Sequence, residues 1–385
     1  MAEPPGDVEP GQGSLVELAG VFLKLGVLGF GGPAAHVALM RDELVRRRGW
    51  IDDEALLEMV GATNLIPGPN STELAIHLGH RRAGWRGLLV AGVCFIAPAV
   101  MIVGLLAWAY ERYGTDPAAA DLRYGILPVV IAIVGHALVA LGRRALTSWL
   151  PALLAGGTAA GFLAGWHELI LLLVAGLISL GWVMRGRLDP RVGLLLVLPS
   201  GAVGSTTAVS EPTLGRLFVV FVEIGSVLYG SGYVLLAFLQ RRLVDDLGWL
   251  SRRELLDAIT VGQVTPGPLF STATFVGWQI DGPAGAAAAT VGIFAPSFVF
   301  VALLGPTVAW MRRNSGAKAF LDGVTAASLG LMAGVLIELI GAAVVDVVTG
   351  AVVAAALAVL IRTKLNSAWL VVAGGLIAVV RVVVS

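Results

Sequence analysis

The segment Pro67-Gly68-Pro69 recurs as Pro266-Gly267-Pro268, and each copy sits between two helical patterns. Proline lacks an amide donor and clashes with the preceding turn, so each triplet ends one helix and lets another begin. In apolar surroundings such a break is costly, because the freed backbone groups have no water to bond. It survives where it lines a cavity or a site. The two breaks therefore read as two halves of one site.

The surroundings are apolar. Of 385 residues, 57% are hydrophobic and 14% charged, with a mean hydropathy of +0.86, which places the chain among integral membrane proteins. Net charge is zero and gives no sign of a nucleic-acid partner. The lone Cys94 excludes an internal disulfide and any multi-cysteine metal site. Residues 1–14 read as a disordered tail without the basic region and apolar core of a signal peptide.

The breaks belong to a longer repeat. Phe22, Gly26, Trp50, Leu56, Leu57 and Pro67 recur as Phe221, Gly225, Trp249, Leu255, Leu256 and Pro266, an offset of 199. Gly84, Gly87 and Ala97-Pro98 recur as Gly282, Gly285 and Ala295-Pro296, an offset of 198. Two homologous halves follow, 15–186 and 215–385, joined by a connector, 187–214.

Phe22 and Gly26, Gly29-Phe30-Gly31-Gly32-Pro33, Trp50 and Pro67-Gly68-Pro69, with the second copy of each, resemble the chromate ion transporter family in its long, two-domain form. The resemblance covers nearly the whole chain. It implies export of chromate driven by the proton-motive force, with sulfate as natural mimic, and halves of opposite orientation. The second half departs from the first. Ser231-Gly232-Tyr233 replaces Gly32-Pro33-Ala34 and Leu269-Phe270 replaces Asn70-Ser71, so the half-sites should differ in role.

A span needs about 20 apolar residues. Leu15 to Met40 supplies one, interrupted by Gly29–Gly32, where the helix can unwind. Ala55 to Leu78 is broken at Pro67 into arms of about ten residues, some 15 Å each at the helical rise, and reads as a re-entrant hairpin. Spans follow at about 86–110, 124–142, 149–165 and 168–184. The second half repeats the pattern at 216–238, 255–279 (the hairpin), 286–309, 323–345, 347–361 and 368–384. The expected fold is all-α and membrane-embedded, with two inverted repeats, each of about five transmembrane helices plus a broken hairpin. In the first half twelve Arg fall on one side against two on the other, which puts the N-terminus outside. An inverted second half gives six basic residues against five and decides nothing; residues 192–209 are just apolar enough to span.

An oxyanion needs donors and positive potential, which helix N-termini supply. Asn70, Ser71 and Thr72 follow the first break; Ser271 and Thr272 follow the second. They can cap the helix or hold an anion. Asn64 and Gln263 precede the breaks at matching positions and suggest a polar role. Gly29, Phe30, Gly31 and Gly32 are next in line. Lys24 and its repeat mate Glu223 lie within spans, where ionisable groups suggest function by default. They read as an ion pair near the pseudo-axis, with Lys24 attracting substrate and Glu223 coupling protons, or as a purely structural pair. Glu58 and Asp257 also match, and capping or exposure serves them equally well. Glu73, His77 and His80 share one helix face. A proton relay fits them better than a metal, because the second half has Thr272, Val276 and Gln279 there. His136 and His167 read as solitary polar residues.

The expected function is a secondary transporter exporting chromate across the plasma (inner) membrane. Its partners are the oxyanion, protons and the bilayer; a homodimer is left open, and no cofactor is called for. The alternatives are a sulfate or small-anion transporter and, more remotely, a membrane-embedded lipid-modifying enzyme, for which no acid cluster or nucleophile with its base is present. No Walker loop argues for ATP-driven pumping.

Overall fold

A computed structural model describes residues 14–30, 32–113, 117–185, 211–229, 234–303, 314–363 and 367–384. Gly31, Ser231–Tyr233, the tail 1–13 and the segment 192–209 lie outside the described residues. Everything regular among the described residues is helical.

Helix α1 (Leu15–Leu28) starts at Ser14, whose hydroxyl accepts from the Glu17 amide. After the glycine segment come α2 (Pro33–Met40) and a π-helical turn, Arg41–Arg47. The expected crossing by Leu15–Met40 does not occur. Glu17 meets Arg48 at 2.6 Å and Lys24 meets Glu43 at 2.7 Å, so the segment folds back on itself. At 1.5 Å per residue a 14-residue α1 reaches only about 21 Å, short of a ~30 Å hydrocarbon core. Leu15 thus lies at the same end of the bundle as Arg48, not at the end opposite the arginines.

A second hairpin follows. Helix α3 (Asp53–Thr63) is capped by Asp52, the break spans 64–69, and α4 (Asn70–Tyr113) begins after it. Helix α4 turns sharply at Ala83 and Gly84, where Gly84 has φ 59° and ψ −147°. Gly79 and Gly87 then lie so close that a β-carbon on Gly79 would stand 2.3 Å from the Gly87 carbonyl oxygen. The arm after the turn is the first long apolar crossing. Trp85, Leu89, Val93, Met101 and Leu105 are exposed along it, a band suited to lipid tails. Helices α5 (Pro117–Ala145), α6 (Trp149–Leu163) and α7 (Glu168–Met184) complete the half.

The second half repeats each step. Helix α8 (Leu214–Val227), α9 (Leu235–Leu239) with the π-helical Gln240–Asp246, α10 (Arg252–Val264) and α11 (Thr272–Ala302) match α1 to α4. Ser251 and Glu254 form a capping box at the start of α10. The turn in α11 falls at Asp281 and Gly282, 198 residues beyond Ala83 and Gly84. Helices α12 (Ser315–Ala343), α13 (Val347–Arg362) and α14 (Ser367–Val384) follow. Asn70–Tyr113, Tyr124–Ala145, Leu269–Ala302 and Ser315–Gly341 are long and apolar enough to cross a membrane.

The halves interlock. Helix α12 packs on α6 and α7 of the first half, while α5 packs on α13 and α14 of the second. Glu111, at the far end of the arm that leaves the Ala83–Gly84 turn, accepts from Trp278 at 2.8 Å, and Trp278 stands beside the second half's own turn. Tyr110 donates to Asp257 and Tyr124 to Asp346, both at 2.6 Å, and Arg241 donates to the Gly165 carbonyl at 2.6 Å. Each bond joins an end of one half to the opposite end of the other.

Candidate functional site

Four helix breaks meet in the interior. The Gly68 amide donates to the Leu228 carbonyl at 2.8 Å, and the Gly267 amide donates to the Gly29 carbonyl at 2.7 Å. Residues 29 and 228, like 68 and 267, are repeat mates, so one bond is the image of the other. Gly68 has φ +134° and Gly267 φ +97°, conformations that favour glycine.

The first helix after a break opens at Pro69, whose carbonyl accepts from the Thr72 amide at 2.7 Å. Ser71, Thr72 and Glu73 follow, all buried. In the second half Pro268 opens a short 3₁₀ turn, with Ser271 and Thr272 buried at its end. The side-chain oxygens of Thr72, Ser271 and Thr272, the Tyr229 hydroxyl and the Gln263 amide nitrogen are buried with no hydrogen-bond partner among the described residues, and the buried Glu73 carboxyl and Ser297 hydroxyl have only each other. Buried polar atoms are nearly always satisfied, so five residues left without a partner beside the breaks are a marked exception.

Other residues stand elsewhere. Asn64 is exposed, and its side-chain oxygen accepts from Asn70 at 2.6 Å, so these two close the break on themselves. Gly29 is buried, with Phe30 and Gly32 partly exposed beside it. The expected Lys24–Glu223 pair does not form. Lys24 bonds Glu43 at 2.7 Å and Glu223 bonds Arg242 at 3.1 Å, each within its own hairpin. The two pairs are repeat images with the charges exchanged. The reason is geometric: both residues face the returning arm of their own hairpin rather than the pseudo-axis. Glu43, at the base of its hairpin, is held below the usual carboxylate range by the Lys24 hydrogen bond, helped by Arg48. His77 is partly exposed on the Glu73 helix, and His80 stacks edge-on against Trp85. No group of three or more metal-ligating side chains occurs among the described residues.

Three residues that the sequence reading passed over belong to the meeting point. His36 is 2% exposed; one ring nitrogen bonds the Gly29 carbonyl at 2.8 Å and the other the Ser71 hydroxyl at 2.9 Å, tying the two first-half breaks together. Tyr229 follows Leu228, and Ser297 stands against Gly68. The signal was available where the repeats differ: the mates of His36, Tyr229 and Ser297 are Leu235, Phe30 and Ala99.

No solved structure matches the chain. The profile of one family, described as "Chromate transporter", matches residues 16–180 and 215–379. A "Probable chromate transport protein" of Synechococcus elongatus is 33% identical over 85% of this chain and 84% of its own length. A "Chromate transport protein" of Cupriavidus metallidurans is 31% identical over 94% and 91%, and another of Pseudomonas aeruginosa 32% over 85% and 81%. With both halves matched and relatives of this identity along most of its length, the chain belongs to the chromate transporter family of membrane transport proteins.

Proposed function

We propose that the protein is a multi-pass secondary transporter of the plasma membrane that exports chromate, coupled to the proton-motive force. The observation that carries this reading is the convergence of four broken helices on a buried set of unpartnered hydroxyl and amide groups. Helix N-termini and neutral donors hold a dianion without a fixed counter-charge, so release remains feasible. The oxyanion site is made by Pro67, Gly68, Pro69, Ser71, Thr72, Gln263, Pro266, Gly267, Pro268, Ser271 and Thr272, with Gly29, Phe30 and Gly32 beside it. Asn64 and Asn70 hold the first break in shape. Glu73 carries the proton and His77 connects it toward the helix end. Lys24 and Glu223 have structural roles. Sulfate, also a tetrahedral dianion, fits the same donors. The halves are inverted in the membrane, a reading supported by the end-to-opposite-end contacts between them.

Uptake of labelled chromate into inside-out vesicles, with and without imposed proton and electrical gradients, tests the proposal. Pro67→Ala, Pro266→Ala and Gln263→Leu should abolish uptake while the protein still reaches the membrane. Normal uptake by all three would move the site away from the breaks.

A further inference from the structure

The pseudo-twofold arrangement has two faces, one at Gly68 and one at Gly267. The Gly68 face carries Glu73, Ser297 and Tyr229; the mates on the Gly267 face are Thr272, Ala99 and Phe30. Both faces make the same turn and the same tip-to-tip hydrogen bond. The turn therefore does not require the three polar residues. Glu73 and Ser297 are fully buried and Tyr229 is 5% exposed. The Glu73 carboxyl and the Ser297 hydroxyl have no partner but each other, and the Tyr229 hydroxyl has none among the described residues. The carboxyl and the serine hydroxyl meet at one spot, where a β-carbon on Gly68 would lie 2.0 Å from Glu73 Oε1 and 2.7 Å from Ser297 Oγ, and Tyr229 follows Leu228, whose carbonyl accepts from the Gly68 amide. On the other face the corresponding position of Gly267 meets only the Ala99 methyl, at 2.8 Å, and more distant backbone.

We propose that Glu73, Ser297 and Tyr229 form a single proton-linked anion subsite on the Gly68 face, which takes up one proton together with each oxyanion. This rests on the reading that the breaks hold the anion. A dianion beside an ionised carboxylate in a water-poor site is strongly repelled, whereas a neutral carboxyl turns its O–H toward the anion as a donor. The two hydroxyls add donors and no charge. Among the described residues no lysine or arginine pairs with Glu73. The titratable groups around it are Tyr229 from the end of α8, His77 on its own helix, and His36 on α2, which is committed to Gly29 and Ser71. Asp322 on α12 bears on Tyr229 and adds negative charge, not positive. Nothing described there can neutralise two negative centres except a proton. It enters from solvent on the loading side, forms an O–H bond to a Glu73 oxygen, and leaves with the anion as that bond breaks; no other covalent bond changes. Because linkage is reciprocal, the proton must then tighten the anion as much as the anion tightens the proton.

The test is equilibrium binding of labelled sulfate to the purified full-length protein across mildly acidic to mildly alkaline solution, with proton exchange followed in weak buffer. Chromate takes up a proton itself in that range; sulfate stays a dianion. Expected are affinity rising on acidification by up to about tenfold per pH unit, and proton uptake on sulfate addition. Glu73→Gln should flatten the pH dependence while keeping the acid-side affinity. Tyr229→Phe and Ser297→Ala, which install the mates from the other face, should weaken sulfate at every pH. Affinity that falls on acidification, proton release on binding, or an unchanged pH slope in Glu73→Gln would overturn the linkage and leave the break site standing. Absence of both sulfate and chromate binding to the wild-type protein would overturn the break site and the linkage with it.

Discussion

Gly68 and Leu228 are joined by a backbone hydrogen bond of 2.8 Å, and their repeat mates, Gly267 and Gly29, by one of 2.7 Å. The relation is that of an isologous dimer within one chain: residue i meets the mate of j, and j meets the mate of i. Sliding one half past the other breaks both bonds together. The meeting point is therefore a natural place for two alternative arrangements of rigid halves, as in transporters built from repeats.

The glycines at these tips should be intolerant, and unequally so. At Gly68 and Gly267 an alanine is strained by the backbone alone, at a cost of roughly 1–3 kcal/mol. At Gly68 the added methyl also displaces the Glu73 carboxylate and Ser297 hydroxyl. Both variants should melt at lower temperature in detergent, and Gly68→Ala should additionally lose the pH dependence of sulfate binding. Melting of both variants at the wild-type temperature would refute the tip geometry.

The exchanged ion pairs allow a charge-swap experiment. Lys24→Glu sets two carboxylates together and should lower protein abundance, and Lys24→Glu/Glu43→Lys should restore it. Lys24→Ala should cost about 1 kcal/mol or less, since the lysine is part-exposed and Glu43 keeps Arg47 and Arg48. Lys24→Ala and Glu223→Ala should add, because the pairs lie in separate hairpins. Glu43 is held below the ordinary carboxylate range, so its contribution is present above that range and lost as pH falls through the lowered value. Glu43→Gln should thus be less stable than wild type near neutrality, with the gap closing in acid. Recovery of Lys24→Ala by Glu223→Ala would argue instead for a pair across the axis.

Much of this architecture could be read from the repeat register. The breaks, the caps at Asp52 and Ser251, and the helical hairpins around Pro67 and Pro266 follow from local chemistry that proline, glycine and acidic residues state plainly. The first hairpin was missed because Leu15–Met40 has a span's hydropathy, and only the tertiary pairs Glu17–Arg48 and Lys24–Glu43 show that it returns. The partner of Lys24 was misassigned for the same reason. Repeat symmetry says which residues are equivalent, not which touch. His36, Tyr229 and Ser297 escaped notice because identities between the halves mark shared scaffold, whereas the buried polar set lies where the halves differ.

Membrane orientation can be checked with single cysteines in a Cys94→Ala background. Trp50→Cys and Trp249→Cys should label from opposite sides of the membrane, because contacts such as Trp278–Glu111 join opposite ends of the two halves. Ser14→Cys should label from the same side as Trp50→Cys, since Glu17 meets Arg48. Labelling of positions 50 and 249 from one side would exclude inversion, and labelling of 14 and 50 from opposite sides would restore a crossing by the first segment.

The charge moved per anion separates co-transport from exchange. A dianion leaving with one proton carries one net negative charge outward. Across an inside-negative potential of about 100 mV that charge gains roughly 2.3 kcal/mol. The accompanying proton, leaving against one pH unit, loses about 1.4 kcal/mol. The electrical component wins, so export needs the membrane potential more than the pH gradient. In inside-out vesicles, collapsing the pH gradient alone should leave chromate uptake intact or raise it, and collapsing the potential should stop it. Glu73→Gln, which mimics the protonated carboxyl without carrying a proton, should move two charges per anion and show about twice the voltage sensitivity of the wild type. Loss of uptake when only the pH gradient is removed would mean that protons move against the anion, and Glu73 would then serve as the exchanged site rather than the shared one.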